Sequence, residues 1–249
     1  MQDKIKHQSL KESILGVFYP RRCPICGEIV STKGEYVCFA CKDKPLLLVE
    51  PRCKKCSKAI EEEEIELCHD CKKNHHNYEF GFALWLYDAT MKKSIADFKY
   101  KGRREYGDFY TREIIKNLGT KIMEINPDFL VPIPLHKSKE RKRGFNQAEV
   151  IAQGISKELK IPILRNLIER NKNTLPQKQL NDVERLKNLE RAFSISNKAY
   201  INFEKPIEKV LLIDDIYTTG STIEACTKIL LQFGVHKVYF ICLCIGKGF

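Results

Sequence analysis

The thirteen residues from Val210 to Thr222, VLLIDDIYTTGST, leave this chain few folds to choose from. Val210 to Ile213 is an uninterrupted apolar run after Pro206, the pattern of a strand buried on both faces. Such strands belong to parallel sheets with helices on each side, so a central strand of an α/β sheet is expected here. Asp214 and Asp215 end that strand, and the polar turn Thr218, Thr219, Gly220, Ser221 leads into a helical pattern from Thr222 to Phe233. Ser221 and Glu224 have the spacing of a capping box, and Gly234 is placed to stop the helix.

At a turn of this kind several backbone N–H groups lack helical acceptors and the positive end of the helix dipole points outward. The result is a cradle for a phosphate monoester. Gly220 lets the backbone approach, and the hydroxyls of Thr218, Thr219 and Thr222 add donors. Two adjacent carboxylates beside the cradle suit vicinal ribose hydroxyls, or the waters of a bound magnesium. The expected ligand is a ribose 5-phosphate. The stretch resembles the phosphoribosyl pyrophosphate (PRPP) signature of the type I phosphoribosyltransferases, an acidic pair before a T-T-G-[ST]-T loop. That resemblance implies that Asp214 and Asp215 hold the ribose 2- and 3-hydroxyls, with Thr218, Thr219, Gly220, Ser221 and Thr222 around the 5-phosphate.

Eight of the eleven cysteines form four C-x-x-C pairs: Cys23 with Cys26, Cys38 with Cys41, Cys53 with Cys56, Cys68 with Cys71. Eleven residues separate each pair from the next, which in a reducing compartment reads as two four-thiolate structural zinc sites. Cross-braced modules also carry four pairs. Here Cys23 to Lys42 and Cys53 to Lys72 repeat at a period of thirty residues, which favours two consecutive ribbons, Cys23/Cys26/Cys38/Cys41 and Cys53/Cys56/Cys68/Cys71. Four thiolates leave no open coordination position, so a structural role is expected. His69 reads as a surface residue, His75 and His76 as linker, and the polar stretch Lys72 to Asn77 as a boundary.

Beyond it, Phe80 to Tyr87 reads as a strand, Met91 to Lys99 and Tyr106 to Leu118 as helices, and Phe129 to Leu135 as a strand whose ladder stops near Val131 because two prolines follow. The basic loop HKSKERKRGF then carries Lys137, Lys139, Arg141, Lys142 and Arg143 against Glu140 alone, before a helix from Asn146 to Leu159. Cations thus crowd the C-terminal edge of the sheet, where ligands of open α/β sheets bind. Asn166 to Phe193 is polar enough to be a loop or helices of its own, and Val238 to Ile245 closes the sheet. Cys226, Cys242 and Cys244 fit core packing.

V-P-I-P-L followed by R-G-F-N-Q is similar to the ComF family of competence-associated phosphoribosyltransferase-like proteins. Phe98 to Gly102, Thr174, Gln177, Glu184, Arg185, Asn188 and Ala192-Phe193 fit the same family, as do the two ribbons, so the resemblance runs from Phe18 onward. It implies an open parallel sheet with helices on both faces behind a double zinc ribbon, organised as a helix over 1–22, ribbons over 23–78 and a transferase-like domain over 79–249. It further implies PRPP with magnesium as ligand, Pro132 to Lys139 as a pyrophosphate loop and Arg170 to Asn188 as a mobile loop. The partners implied are single-stranded DNA and a competence helicase or other uptake proteins.

A net charge of +11 favours polyanionic partners, and the basic run Lys137, Lys139, Arg141, Lys142, Arg143 is the expected phosphate-contacting surface, with Lys137 and Lys139 shared with PRPP. The apolar stretch Ile14 to Tyr19 is too short for a signal peptide, and no segment approaches the roughly 18 apolar residues of a membrane helix. A cytoplasmic protein with no membrane insertion is expected, and Ser9 to Phe18 reads as an amphipathic helix. Two function classes follow: a competence factor that grips single-stranded DNA, and an enzyme moving ribose 5-phosphate from PRPP, with Asp214 and Asp215 orienting a ribose that becomes cationic at its anomeric carbon.

Overall fold

The computed structural model describes residues 20–32, 34–171, 192–196 and 205–246. The helix expected over Ser9 to Phe18, and Thr174, Gln177, Glu184, Arg185 and Asn188, lie outside them.

The ribbons come first, ending in a one-turn helix α1 (His69–Lys73). There follow β1 (Gly81–Leu86), α2 (Ala89–Tyr100), α3 (Tyr106–Ile125), β2 (Phe129–Pro132), α4 (Lys137–Arg143) and α5 (Gln147–Leu159). The order then runs β3 (Ile168–Arg170), β4 (Phe193–Ile195), β5 (Lys209–Tyr217), α6 (Ser221–Gln232) and β6 (Lys237–Ile245). Side chains cap the helices where the sequence supplies them: Asp88 accepts from the Met91 N–H at 2.8 Å, and Asn146 from the Ala148 N–H at 3.1 Å. Gly234 follows α6 with φ +102°, as a helix-terminating glycine does.

Four strands pair in parallel in the order β1-β6-β5-β2. Val210 to Ile213 are fully buried, as a central strand requires, and their side chains alternate between two cores. Val210 and Leu212 pack with α6, β3, β4 and the four cysteines of the second ribbon. Leu211 and Ile213 pack with α2, α3, α5 and, from the first ribbon, Cys23, Ile25 and Cys41. Each ribbon therefore lies against its own side of the sheet. Cys226, Cys242 and Cys244 are fully buried in these cores.

Five expectations need correction. The acid pair does not end β5: pairing with β6 continues through Asp214 opposite Cys242 to Tyr217 opposite Ile245, because β6 is as long as β5 and keeps offering backbone partners. There is no capping box, since Gly220 occupies the cap position and Glu224 turns instead to Asn77. The last strand does not close the sheet at an edge but lies inside it, between β1 and β5. HKSKERKRGF is a helix rather than a loop, begun by His136, whose ring accepts from the Ser138 N–H, and stopped by Gly144 at φ +81°. Polar Asn166 to Phe193 includes the strand β3 and ends at the first residue of β4, and the two strands pair antiparallel. No helix among the described residues is long and apolar enough to cross a membrane.

Candidate active site

Alternation along β5 sends the two carboxylates to different sides. Asp215 meets the Lys99 ammonium from the end of α2 at 2.7 Å, both side chains largely buried. Burial works against the Lys99 charge, but the Asp215 carboxylate outweighs it and holds the ammonium above its usual range. Asp214 faces the opposite layer from Asp215 and Lys99, yet the charges of Lys99 and of Arg170 on β3 both reach it. Its Oδ1 accepts the Asp215 N–H at 2.8 Å. Burial first, and the neighbouring Asp215 charge second, push the Asp214 carboxyl up to about 7.

The turn follows directly. Thr218 is exposed, Thr219 and Ser221 share a hydroxyl hydrogen bond of 2.8 Å, and Thr222 is half-buried. Gly220 sits at φ +79°, and a Cβ there would lie 2.3 Å from the Tyr217 hydroxyl, so both backbone conformation and space demand glycine. The first intrahelical bond of α6 runs from the Glu224 N–H to the Gly220 carbonyl at 2.8 Å. The amides of Ser221, Thr222 and Ile223 therefore precede the helical ladder, an arrangement that together with the dipole suits an anion.

Helical folding of α4 divides the cations that the sequence groups together. Residues four apart share a face and residues two apart do not. Lys139 and Arg143 form one stripe, and Lys137 and Arg141 lie on the opposite one, where with Glu140 and Gly144 they line an open cleft. Lys142 is exposed. Burial and the charges of Arg170, Arg143 and Lys99 hold the Lys139 ammonium below its usual range. Lys99, Lys139, Arg143 and Arg170 are thus close enough for their charges to act on one another, and those of Lys99 and Arg170 act on Asp214 as well. Arg143 is fixed by Gln147 Oε1 at 2.8 Å and the Tyr100 hydroxyl at 3.3 Å.

From the sequence, Lys99 belongs only to the family-like stretch Phe98 to Gly102 and Arg170 only to the start of an expected mobile loop, and neither is among the expected ligand-contacting residues. Lys99 is followed closely by Lys101, Arg103 and Arg104, and only the fold shows that Lys99 is the one that meets Asp215. Arg170 ends β3, which like its partner β4 is three residues long, too short for a periodic signal.

The eight cysteines fall into two separate sets, Cys23/Cys26/Cys38/Cys41 and Cys53/Cys56/Cys68/Cys71, the sulfurs of each within 4.8 Å of one another. Tetrahedral zinc with bonds of about 2.3 Å requires sulfurs about 3.8 Å apart. The distances of 3.7 Å between Cys26 and Cys38 and 3.6 Å between Cys56 and Cys68 fit it, and are far too long for disulfides. Four sulfurs this close cannot all be thiolates without a cation among them, so both sets fit structural zinc.

Residues 108–248 match the family model of the phosphoribosyl transferase domain and residues 14–72 that of the double zinc ribbon domain. Competence protein F of Haemophilus influenzae is 27% identical over 228 residues, covering 89% of this chain and 95% of that protein. Competence protein ComFC of Bacillus subtilis is 27% identical over 209 residues, covering 80% of each. DNA utilization protein YhgH of Escherichia coli is 27% identical over 229 residues, covering 84% of this chain and 96% of that protein.

Proposed function

Since the chain belongs to the phosphoribosyl transferase domain family and, with its double zinc ribbon, to the ComF-like proteins within it, we propose that it binds PRPP and single-stranded DNA in the service of DNA uptake. One observation carries the PRPP half: a carboxylate pair, an anion cradle and four neighbouring cations meet at the C-terminal edge of a parallel sheet. The cradle takes the 5-phosphate, Asp214 and Asp215 take the ribose hydroxyls, and Lys99, Lys139, Arg143 and Arg170 face the pyrophosphate. Magnesium, when bound, supplies further positive charge to the phosphates. The same arrangement supports transfer of ribose 5-phosphate to an acceptor as the second reading, because cations around the pyrophosphate stabilise it as it departs while the carboxylates stabilise a ribose gaining positive charge. Titration with PRPP and magnesium, then a screen for pyrophosphate release across acceptors, separates the two. Tight binding without release favours the uptake reading.

The raised Asp214 carboxyl gives the binding a pH dependence. Its value lies above the ordinary carboxylate range, so the folded state holds the extra proton between about pH 4 and 7 and loses its advantage over the unfolded chain as pH rises through that window. The proton also competes with cation-assisted ligand binding. PRPP affinity in magnesium should rise roughly tenfold per pH unit below 7 and level off above it. Calorimetric titration on either side of pH 7 checks this, and Asp214→Asn should flatten the profile. An unchanged slope in that variant would assign the titration to the ligand's own phosphates.

The DNA half rests on the outer stripe of α4 and on what the relatives' names say of them. Affinity for single strands should fall with salt at a log-log slope of about −0.7 for each phosphate neutralised. Replacing Lys137, Arg141 and Lys142 by Ala should reduce that slope by roughly two units and weaken all sequences alike. Lys139→Ala with Arg143→Ala should instead weaken PRPP binding. A salt series for the outer triple variant that superimposes on wild type would remove α4 from the DNA surface. We further propose a cytoplasmic location, with a competence helicase or other uptake proteins as partners and the domain limits 1–22, 23–78 and 79–249.

A further inference from the structure

The second ribbon does more than cover the sheet, because both of its knuckles reach the turn that forms the cradle. From the Cys68–Cys71 knuckle the chain runs through α1 to His76, Asn77 and Tyr78. The Asn77 N–H donates to Glu224 Oε2 at 2.8 Å, and its side-chain amide donates to the other carboxylate oxygen. Glu224, in the first turn of α6, is 2% exposed. His76, expected as linker, is buried 3.6 Å from the same carboxylate and stacks on Tyr78. The Tyr78 hydroxyl is 2.8 Å from that of Tyr217, the residue against which Gly220 is packed. From the Cys53–Cys56 knuckle, Lys55 lies over the Tyr78 ring, Lys58 lies over the Tyr217 ring, and the Lys55 carbonyl accepts the Gly81 N–H at 3.0 Å.

The first ribbon is placed otherwise. Its polar contacts go to α3, through Arg21 to Asp108 at 3.4 Å and Glu35 to Arg112 at 3.7 Å, with both arginines beside the Tyr36 ring.

We infer that zinc in the Cys53/Cys56/Cys68/Cys71 site positions the phosphate cradle, with the Tyr78–Tyr217 hydroxyl pair and the Asn77–Glu224 clamp as the positioning residues. The inference rests on the reading of residues 218–222 as a phosphate site. Without the ion the two knuckles separate, Tyr78 and Asn77 lose their anchor, and the start of α6 and the turn before it lose the contacts that hold them in the binding conformation. Because binding linkage is reciprocal, whatever factor the ion adds to ligand affinity the ligand must return to the ion's affinity.

The test uses the full chain and measures zinc affinity at both sites by competition with a zinc chelator, with and without saturating PRPP and magnesium. One of the two ions should be held between about five- and 150-fold more tightly in the presence of PRPP, and the other unchanged. A variant combining Tyr78→Phe and Tyr217→Phe with Glu224→Gln keeps the packing and both ions, and removes the two hydroxyls together so that neither is orphaned. It should bind PRPP more weakly and show less than about a twofold shift in zinc affinity on the scale of that linkage. If PRPP binds the wild-type chain and neither zinc affinity moves, the inference is wrong. If direct titration finds no PRPP binding, the phosphate reading itself fails and takes this inference with it.

Discussion

Asp214→Asn with Asp215→Asn should lower PRPP affinity in magnesium by roughly 10²- to 10⁴-fold, the loss expected when two charged acceptors each worth about 1.5–3 kcal/mol in hydrogen bonding are neutralised. The single variants should separate binding from stability. Asp214 is a carboxyl whose ionisation is disfavoured by burial and by Asp215, so Asp214→Asn should raise Tm above pH 7. Asp215→Asn strips the partner from a buried Lys99, and breaking a buried ion pair costs about 3–5 kcal/mol. The Lys99 side chain keeps 15% exposure, which places the loss toward the lower end. Calorimetric titration and thermal melts of both variants check the two signs. Two strand-end carboxylates read from sequence would leave the fold indifferent to both changes, and the Lys99 pair makes Asp215 the exception. Unchanged PRPP affinity in the double variant would refute the site.

Removing zinc should have the second large effect. Structural zinc in isolated fingers contributes about 10–16 kcal/mol to folding at neutral pH, against a net stability for whole domains of about 5–15 kcal/mol. Metal analysis should find two zinc ions per chain, and Cys23→Ser should lose one of them. In the first set Cys26 and Cys38 are partly exposed, whereas all four cysteines of the second set are buried against the sheet. A strong chelator should therefore empty the first ribbon sooner, with a partial loss of structure. Removal of the second ion should lower the Tm of the whole chain, because Cys53, Cys56, Cys68 and Cys71 share a core with Val210, Leu212 and Phe240. Loss of both ions from Cys23→Ser would contradict separate four-sulfur sites.

The parts of this chain legible in the sequence are those whose physics is local. Val210 to Ile213 announces burial by having no polar residue, and the thirty-residue repeat of the cysteine pairs identifies which of them share a metal. The helix expected over Asn146 to Leu159 is written in consecutive residues, and the structure has it at Gln147–Leu159 with Asn146 as its cap. Failures occur where a residue's role depends on a distant partner. Glu224 has the right spacing for a capping box, but a residue 147 positions away, Asn77, takes its carboxylate. Lys99 and Arg170 join the site only because β5 turns its two carboxylates toward different layers. The five cations from Lys137 to Arg143 read as one cluster because sequence proximity hides the rotation of a helix, which sends Lys139 and Arg143 one way and Lys137 and Arg141 the other.

The position of β6 inside the sheet has a consequence for the order in which the fold can be completed during synthesis. Until Lys237–Ile245 has emerged from the ribosome, β1 has no neighbour in the sheet and β5 is paired only to the four-residue β2. The four ligands of each ribbon lie in one short stretch, Cys23 to Cys41 or Cys53 to Cys71, so both metal sites can be filled far earlier. A nascent chain would then present finished metal-bearing modules attached to an open apolar sheet, and the strand that unites them is the last described element to arrive. Ribosome stalling or truncation within residues 209–237 would leave the edges of β1 and β5 unpaired, the kind of surface that templates aggregation.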